Sequence, residues 1–297
     1  MKIAVIIPCL NESSAIGRVV KECQAHLPDA TIYVLDNDSD DNTAEIALQA
    51  GAHVIISPLR GKGNVIRHAF RILEADYYVM IDGDGTYPIA EAKKLIEVAH
   101  SFNYEMVMGS RLKLGVPEAF RPLHYTGNRL LTGLVRFLFG FPVQDLLTGF
   151  RVFSHRFARE VPLTSKGFEI ETELTIRAMC QDLPFCEVPI PYGERDPGGK
   201  SKLKTFRDGW RILLTILRHF ALFRPALSFG SIGLILVGAS TIAPHAVSFP
   251  IQLMGSLLAV SGLVLAQIRM YLWLSGASKA AQNQSRQGPT RKFDKTA

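Results

Sequence analysis

Asp82 and Asp84 are the residues of this chain whose types and spacing best suit chemistry. They flank Gly83 and directly follow an apolar run, residues 77–81, that is typical of a buried strand. Two carboxylates on a flexible turn can face one hard cation, and Mg²⁺ or Mn²⁺ held in this way keeps positions open for phosphate oxygens. A solvent-facing turn also often contains Asp-x-Asp. The end of a buried strand favours the metal site, because two charges there have no packing role.

Two further polar segments are each open to two interpretations. Asp36 follows another β-rich run and could accept hydrogen bonds from a base or a ribose. The acidic stretch 36–41 is equally typical of a loop leading into a helix, where acidic residues are favourable. Lys62 lies between Gly61 and Gly63, which suits either a phosphate-binding turn or an ordinary surface turn.

The first hundred residues alternate short β-rich runs with helical patterns. Strands are predicted at 2–7, 31–35, 53–56 and 77–81, with helices at 11–26, from about 43 to 50, at 62–74 and from about 88. This alternation predicts a mostly parallel sheet with helices on both faces, and ligands bind beyond the carboxyl ends of such strands. Asn11, Glu12, Asp36, Asp82 and Asp84 should therefore gather on one rim of the sheet.

The second half of the chain alternates less clearly. Strands are predicted at 107–110 and 185–190, and helices through about 139, at 169–181 and at 203–223. The last of these helices mixes apolar residues with Lys204, Arg207, Arg211 and Arg218. A basic amphipathic helix of this kind is typical of a membrane interface, although a surface helix packed on the domain is the alternative.

Residues 225–268 form a run of 44 residues without Asp, Glu, Lys or Arg. A spanning helix needs about 20 apolar residues, so the run predicts a two-helix transmembrane hairpin. Pro244 and Pro250 bracket its expected turn, and the basic residues lie outside the run on both sides. The positive-inside rule then places the catalytic domain and both termini in the cytoplasm, as an integral membrane protein. Small residues could permit close helix contacts within one hairpin or between the chains of a homo-oligomer: Gly230, Gly233, Gly238, Gly255 and Gly262.

Charge divides the chain in the same way. Residues 1–194 hold 19 Lys/Arg and 24 Asp/Glu, a net charge of −5, whereas residues 195–297 hold 14 and 3, a net charge of +11. Because the basic residues flank the apolar run, membrane lipids are the expected partner and nucleic acid is not. The four cysteines lack the close spacing of a zinc or redox motif, which favours reduced thiols in a cytoplasmic domain.

These features predict four segments. Residues 1–202 form a catalytic domain, residues 203–224 an amphipathic juxtamembrane helix, residues 225–274 two transmembrane helices, and residues 275–297 a basic, disordered cytoplasmic tail.

The ordered set of motifs resembles a known family. Ile6-Ile7-Pro8-Cys9-Leu10-Asn11-Glu12, the 36–43 turn, Gly61-Lys62-Gly63 and Asp82-Gly83-Asp84 together look like a family 2 glycosyltransferase with the A-type nucleotide-sugar fold. Later segments are similar to the polyprenyl-phosphate glycosyltransferases, the group that contains dolichol-phosphate mannose synthase. They are Gly109-Ser110-Arg111, Asn128-Arg129, residues 145–151, residues 167–171, Glu187-Val188-Pro189-Ile190 and residues 195–202. The similarity covers about residues 3–210.

The resemblance implies roles for individual residues. Pro8, Asn11, Glu12 and Asp36 would line the nucleoside pocket, and Lys62 and Gly83 would lie beside the donor. Asp82 and Asp84 would hold Mg²⁺ or Mn²⁺ on the donor diphosphate, with Thr86 where some members provide a further ligand. Arg111, Arg129, Arg195 and Lys202 match basic positions near the donor diphosphate and the lipid phosphate. Two departures are Asn37, where the family usually has Asp, and Thr86, where some relatives have Gln.

The implied reaction is inverting transfer of a sugar from a nucleotide-sugar donor to polyprenyl phosphate (undecaprenyl or dolichyl). A lipid monophosphate is already anionic, so the site needs cations rather than a general base. His124 is accordingly expected to be a surface or packing residue, and Arg151 to anchor Asp145 in a buried ion pair. The alternatives are a transferase that extends a polysaccharide or lipid-linked oligosaccharide, and a membrane-tethered scaffold with a structural ion site.

Overall fold

The computed structural model describes residues 1–112, 122–193, 205–242 and 244–286. The chain forms two compact units, Met1–Leu217 and Arg218–Ala297. The first unit contains a seven-stranded sheet and its helices, and the second contains two long helices, so each is described separately below.

The strands are β1 (Ile3–Cys9), β2 (Ala30–Asp36), β3 (His53–Ile56), β4 (Tyr77–Met80), β5 (Met106–Ser110), β6 (Arg151–Ser154) and β7 (Phe185–Pro189). The helices are α1 (Ile16–His26), α2 (Thr43–Gln49), α3 (Lys62–Ile72), α4 (Glu91–Ser101), α5 (Pro122–Phe139), α6 (His155–Glu160), α7 (Ile170–Cys180), α8 (Thr205–Phe223), α9 (Pro225–Ser240) and α10 (His245–Arg286).

The sheet is mixed but mostly parallel, in the order β3-β2-β1-β4-β6-β5-β7. Strand β6 runs antiparallel to both of its neighbours, β4 and β5. The sequence did not predict β6, because this strand has four residues and starts with Arg151, which is fully buried. A short strand covered on both faces has no alternation of polar and apolar residues by which to recognise it.

Both faces of the sheet are covered by helices, as predicted. Ile3, Val5 and Ile7 of β1 join the core cluster that includes α1 and α4 residues. On the other face, Phe70 of α3 lies edge-on to Phe153 of β6, at 5.3 Å between ring centroids. Successive side chains of a strand point to opposite faces, so a strand buried on both sides must be apolar throughout, and β1 is.

The strand register brings the predicted polar residues to one rim. Cys9 of β1 pairs with Asp36 of β2, and Ile6 pairs with Met80 of β4. The residues that follow these strands therefore leave the sheet at the same edge, which is where ligands bind in such sheets.

Helix α8 carries two apolar faces. Within the first unit, Ile212 and Ile216 are buried. Four apolar side chains spaced three or four residues apart form an exposed stripe: Phe206, Trp210, Leu214 and Leu217. Residues at this spacing lie on one face of a helix. We call them the α8 stripe.

Helices α9 and α10 pack against each other as a hairpin through glycines. A Cβ on Gly233 would lie 2.5 Å from the Gly255 carbonyl oxygen, and one on Gly262 would lie 2.8 Å from the Pro225 oxygen. Close backbone contact of this kind requires small residues. A Cβ on Gly230 or Gly238 would meet no other described atom within 4 Å. Three of the five predicted glycines therefore serve the contact within one chain.

The predicted hairpin turn and tail were partly wrong. Pro250 lies inside α10, since α9 ends at Ser240 and α10 begins at His245. The helix also continues to Arg286, well into the segment predicted to be disordered, and residues 287–297 lie outside the described part of the chain. Within the described residues, one helical stretch, Val247–Leu272, is by itself long and apolar enough to cross a membrane, with a mean hydropathy of 1.8. Helix α9 has only 16 residues.

Candidate active site

A cleft of about 270 Å³ opens in the first unit at the carboxyl ends of the strands. Its walls come from the β1–α1 loop, the start of α3, the turn after β4 and the start of α7. The lining residues are Pro8, Cys9, Leu10, Glu12, Asn37, Arg60, Gly61, Lys62, Val65, Asp82, Gly83, Asp84, Arg111, His124, Leu147, Phe168, Glu171 and Tyr192. Seven of the residues predicted from the sequence therefore line one cleft: Pro8, Glu12, Lys62, Asp82, Gly83, Asp84 and Arg111.

Lys62 lies between two carboxylates on this cleft. Its Nζ is 2.5 Å from Asp82 Oδ1 and 2.6 Å from Glu171 Oε1. The Lys62 and Glu171 side chains are only 11% and 6% exposed, whereas the Asp82 side chain is 27% exposed. Burial alone would lower the pKa of Lys62, but Asp82 and Glu171 together raise it above its usual value. The ammonium group therefore stays charged.

Two glycines allow Lys62 to reach this position. Gly61 has φ +119°, a backbone conformation that favours glycine, and a Cβ there would collide with the Lys166 carbonyl oxygen. Gly63 N–H donates to the Gly167 carbonyl at 3.1 Å, so the start of α3 lies directly against the loop before α7. This close approach brings Lys62 of α3 to Glu171 of α7, so the segment packs against a neighbouring loop beside the cleft, and its predicted role near phosphate stays a prediction.

Asp82 and Asp84 are each fixed by a neighbour. Thr86 donates to Asp84 Oδ1 from its hydroxyl at 2.7 Å and from its backbone N–H at 3.2 Å. Gly149 lies so close to Asp82 that a Cβ on it would be 2.5 Å from Oδ2. The Thr86 hydroxyl therefore orients an aspartate here, and its predicted role as a metal ligand stays a prediction.

Several carboxylates surround the Cys9 thiol at the floor of the cleft. The Cys9 thiol is buried beneath Gly83, where an added Cβ would lie 2.5 Å from Sγ. Burial raises the pKa of Cys9, and the nearby charges of Glu12, Asp36, Asp82 and Asp84 raise it further. Glu12, Asp36, Asp82 and Asp84 therefore all lie near enough to Cys9 to act on its thiol, and negative charge concentrated in this way favours cations nearby.

The predicted nucleoside side of the site is held by the acidic turn. The buried Asp36 carboxylate accepts two hydrogen bonds from Ser39, one from the backbone N–H at 3.1 Å and one from the side-chain hydroxyl at 2.5 Å. Asn11, at φ 54°, accepts from Asp40 N–H at 2.7 Å, and Glu12 N–H donates to Thr43 Oγ1 at 2.8 Å. Glu12 lines the cleft, whereas Asn11 and Asp36 do not.

Asn37, where the resembled family usually has Asp, performs a task that a carboxylate could not. Its Nδ2 donates to the Leu59 carbonyl at 2.9 Å, and its Oδ1 accepts from Gly61 N–H at 2.6 Å. An ionised carboxylate has no donor for the first bond. The amide therefore ties the β2 end to the turn that leads to Lys62.

Arg111 pairs with Asp145, and this corrects the prediction for Arg151. Arg111 Nε and Nη2 each donate to the Asp145 carboxylate at 2.8 Å, and Arg111 holds the pKa of Asp145 below its usual value although burial would raise it. Arg151 instead donates to the Leu146 and Thr148 carbonyls, both at 2.9 Å, and burial lowers its pKa to about 10. A planar guanidinium matches a carboxylate through two bonds, so the Arg with that geometry forms the pair.

The remaining predicted residues lie elsewhere. Arg129 is exposed on α5, where it donates to the Tyr125 hydroxyl at 3.2 Å, and it does not line the cleft. Arg195 and Lys202 lie outside the described residues. His124, expected to be a surface or packing residue, lines the cleft.

Sequence reasoning missed the roles of Glu171 and Gly149. Both lie within motifs that were recognised, but neither was given contact with Asp82. Gly149 stands two residues before the buried strand β6, and a glycine beside a strand can mark the close approach of another group. An acidic residue in the first turn of a helix is ordinarily explained by the helix dipole. Only the tertiary contact reveals what each one faces.

No group of three or more His, Cys, Asp or Glu side chains in the described part of the chain is arranged to hold a metal ion alone. Asp82 and Asp84 offer a pair of hard oxygen ligands beside an open cleft. That donor set suits Mg²⁺ or Mn²⁺ whose remaining positions are filled by phosphate oxygens.

Solved structures of low sequence identity share the fold. Glucosyl-3-phosphoglycerate synthase from Mycobacterium tuberculosis, solved with Mn²⁺, uridine diphosphate and glucosyl-3-phosphoglycerate, superimposes with a TM-score of 0.63 at 20% identity. The match covers 74% of this chain and 80% of that one.

Relatives found by sequence have a higher identity to this chain than these solved structures. A glycosyltransferase named AglJ from Haloferax volcanii is 33% identical over 78% of this chain and 76% of its own length. A dolichyl-phosphate hexose transferase from the same organism is 32% identical over 73% of this chain and 92% of its own length. The profile of the family described as Glycosyl transferase family 2 matches residues 4–161. The chain therefore belongs to glycosyltransferase family 2.

Proposed function

We propose that this chain is an inverting, divalent-cation-dependent hexosyltransferase that moves a sugar from a nucleotide-sugar donor to a polyprenyl phosphate at a membrane. The observation that carries the proposal is the cleft that gathers Asp82, Asp84 and Lys62 at the carboxyl ends of the strands of a family 2 fold. The relative named as a dolichyl-phosphate hexose transferase supports the choice of acceptor.

The residues present fit a divalent cation. Asp82 and Asp84 would hold it, and it would offset the charge of the donor diphosphate. Thr86 fixes the Asp84 carboxylate through two hydrogen bonds, and Gly149 limits where Asp82 can point. Prealignment of this kind matters because a site that need not reorganise stabilises developing charge more strongly.

The chain's own cations would assist the departing diphosphate. In the described part of the chain, Arg60, Lys62 and Arg111 line the cleft. Arg129, Arg195 and Lys202 are proposed, from the family resemblance alone, to contact the donor diphosphate or the lipid phosphate. Pro8, Asn11, Glu12 and Asp36 are proposed for the nucleoside side on the same basis.

Transfer requires no general base from the protein. An oxygen of the acceptor phosphate attacks the anomeric carbon, the bond from that carbon to the donor diphosphate breaks, and the anomeric configuration inverts. The acceptor is already an anion near neutral pH, so no proton has to be removed. Positioning two anions side by side is then the main task of the site.

The membrane part of the proposal rests on two apolar features. The stretch Val247–Leu272 has the length and composition of a spanning helix, and we propose that α9 and α10 form the transmembrane hairpin, with both termini cytoplasmic. The α8 stripe exposes Trp210 and three other apolar side chains beside Arg207 and Arg211. An exposed apolar stripe flanked by basic residues suits the interface of an anionic bilayer.

The test uses the full-length chain in detergent or nanodiscs with undecaprenyl phosphate, Mn²⁺ and a panel of UDP- and GDP-sugars. We expect one donor to yield a lipid-linked monosaccharide, and Asp82→Asn and Asp84→Asn to abolish its formation. Transfer only to a lipid-linked oligosaccharide or polysaccharide would support the elongating alternative. If the folded protein consumes none of the donors in the presence of any acceptor, the chain is not a transferase. That outcome would favour the alternative of a membrane-tethered scaffold.

A further inference from the structure

The Lys62 ammonium group contacts two carboxylates, Asp82 and Glu171, although one would be enough to neutralise a buried lysine. Glu171 alone would neutralise Lys62 at the buried start of α7. Lys62 nevertheless also lies 2.5 Å from Asp82, whose side chain is more exposed and lines the cleft. Lys62 is thus ion-paired with Asp82, the carboxylate that would bind the divalent cation in the proposed function.

Asp82 cannot easily serve both cations. Its Oδ1 contacts Lys62, and its Oδ2 faces the Gly149 backbone, where even a methyl group would collide. A cation on Asp82 would therefore lie within short range of the ammonium group. Like charges at such distances repel strongly in a partly buried site.

We propose that Lys62 is an internal counter-ion that neutralises Asp82 in the resting site and is displaced from it by the divalent cation. The proposal rests on the proposed function. Glu171 then acts as a tether, because it keeps the displaced ammonium group at the cleft wall. There the Lys62 charge faces the diphosphate of the donor.

The proposal makes two predictions of opposite sign. Lys62 opposes the cation when the cation binds alone, and it favours a nucleoside diphosphate when the cation is already present. If Lys62 were merely structural, its loss would weaken both the binding of the cation and the binding of the nucleoside diphosphate, or would change neither. Coupling between two binding events on one protein typically amounts to about 5- to 150-fold in affinity.

The experiment compares the wild-type chain with Lys62→Met in detergent, by electron paramagnetic resonance of free Mn²⁺ for the cation affinity and by titration calorimetry for the nucleotide affinity. We expect Lys62→Met to bind Mn²⁺ alone about tenfold more tightly, and to bind UDP or GDP at saturating Mn²⁺ about tenfold more weakly, within the usual range of such couplings. Lys94→Met is the matched control. Lys94 is exposed on α4 in a pair with Glu91 at 3.5 Å, so its loss changes the net charge equally and should leave both affinities unchanged.

The double variant Lys62→Met/Glu171→Gln covers the case in which an unpaired Glu171 destabilises the single variant. Because the double variant also lacks the ammonium group on Asp82, it should still bind Mn²⁺ more tightly than wild type. A gain that vanishes in the double variant would assign the effect to the freed Glu171 carboxylate and would overturn the proposal. Unchanged Mn²⁺ affinity in both variants would also overturn it.

The transfer assay separates this inference from the function beneath it. If wild type transfers sugar and the Mn²⁺ affinities do not move, the counter-ion role alone is wrong. If wild type transfers no sugar to any acceptor, the proposed function is wrong, whatever the Mn²⁺ titrations show.

Discussion

The contact between Gly149 and Asp82 yields the sharpest prediction. A Cβ at position 149 would lie 2.5 Å from Oδ2 and 2.9 Å from both Cγ and Oδ1 of Asp82. Ordinary contacts begin near 3.4 Å, so the carboxylate in Gly149→Ala must retreat by about 0.9 Å. The φ of Gly149 is not positive, so alanine is not excluded there by backbone conformation.

The clash falls on the end of a side chain rather than on backbone. Asp82 can therefore turn away at little cost in folding free energy, but it then leaves Lys62 and the proposed cation position. A displacement of about 1 Å in a catalytic group can cost about 100-fold in rate. We expect Gly149→Ala to lower kcat/KM for sugar transfer by about that factor while it stays folded.

The matched control is Gly133→Ala on α5, where an added Cβ meets no other described atom within 4 Å. It should keep full activity and gain up to about 1 kcal/mol of stability, because alanine favours a helix interior over glycine. Initial rates at varied donor and Mn²⁺ concentrations, with thermal unfolding in detergent, distinguish the two variants. Gly149→Ala activity within threefold of wild type would refute the argument that backbone proximity at Gly149 positions Asp82.

Three further predictions follow from contacts described above. Thr86→Val removes the 2.7 Å hydrogen bond from the Thr86 hydroxyl to Asp84. It should weaken Mn²⁺ binding by about 10-fold or more, the usual effect of losing a hydrogen bond that supports a metal ligand. An unchanged Mn²⁺ titration would show that Asp84 is not held by Thr86. Asp145→Ala leaves Arg111 buried without its carboxylate and should cost about 3–5 kcal/mol of stability. Because the folded-state pKa of Asp145 is lowered, its stabilising contribution is present above the unfolded value of about 3.9 and is lost as pH falls through the folded value. The gap in melting temperature between wild type and Asp145→Ala should therefore narrow only at acid pH, and a constant gap from pH 7 to pH 3 would contradict this. Trp210, 61% exposed, should be quenched by brominated lipids in nanodiscs in a Trp273→Phe background; no quenching would place the α8 stripe away from lipid.

Much of the fold could be predicted because it depends on local pattern. The limits predicted for β3, residues 53–56, match the structure, and the other predicted strands differ from it by only a residue or two at their ends. Apolar runs bounded by turn residues mark buried strands wherever the chain alternates regularly. Beyond residue 105 the pattern is less regular. There β6 was not predicted, and α10 includes Pro250 and part of the segment predicted to be a disordered tail.

The candidate site could be predicted only in its outline. Residues that follow parallel strands must meet at one edge, so Asp82 and Glu12 were placed correctly. Partners that come from distant elements could not be paired. The sequence offered Arg151 for Asp145, since the two are close in the chain, whereas Arg111 reaches it across 34 positions with the better geometry.

The amino-acid sequence by itself determined the order of the first strands along the chain, the acidic pair after β4 and the long uncharged run, because composition and periodicity record burial residue by residue. The ordered motifs, through their resemblance to known glycosyltransferases, indicated the family. Only the tertiary structure decided that Lys62 is shared by Asp82 and Glu171, that Gly149 confines Asp82, and that glycines join α9 to α10. Those contacts depend on ångström-scale approach between segments far apart in the chain. Local sequence does not encode that distance, since it arises only when the whole sheet and its helices pack together.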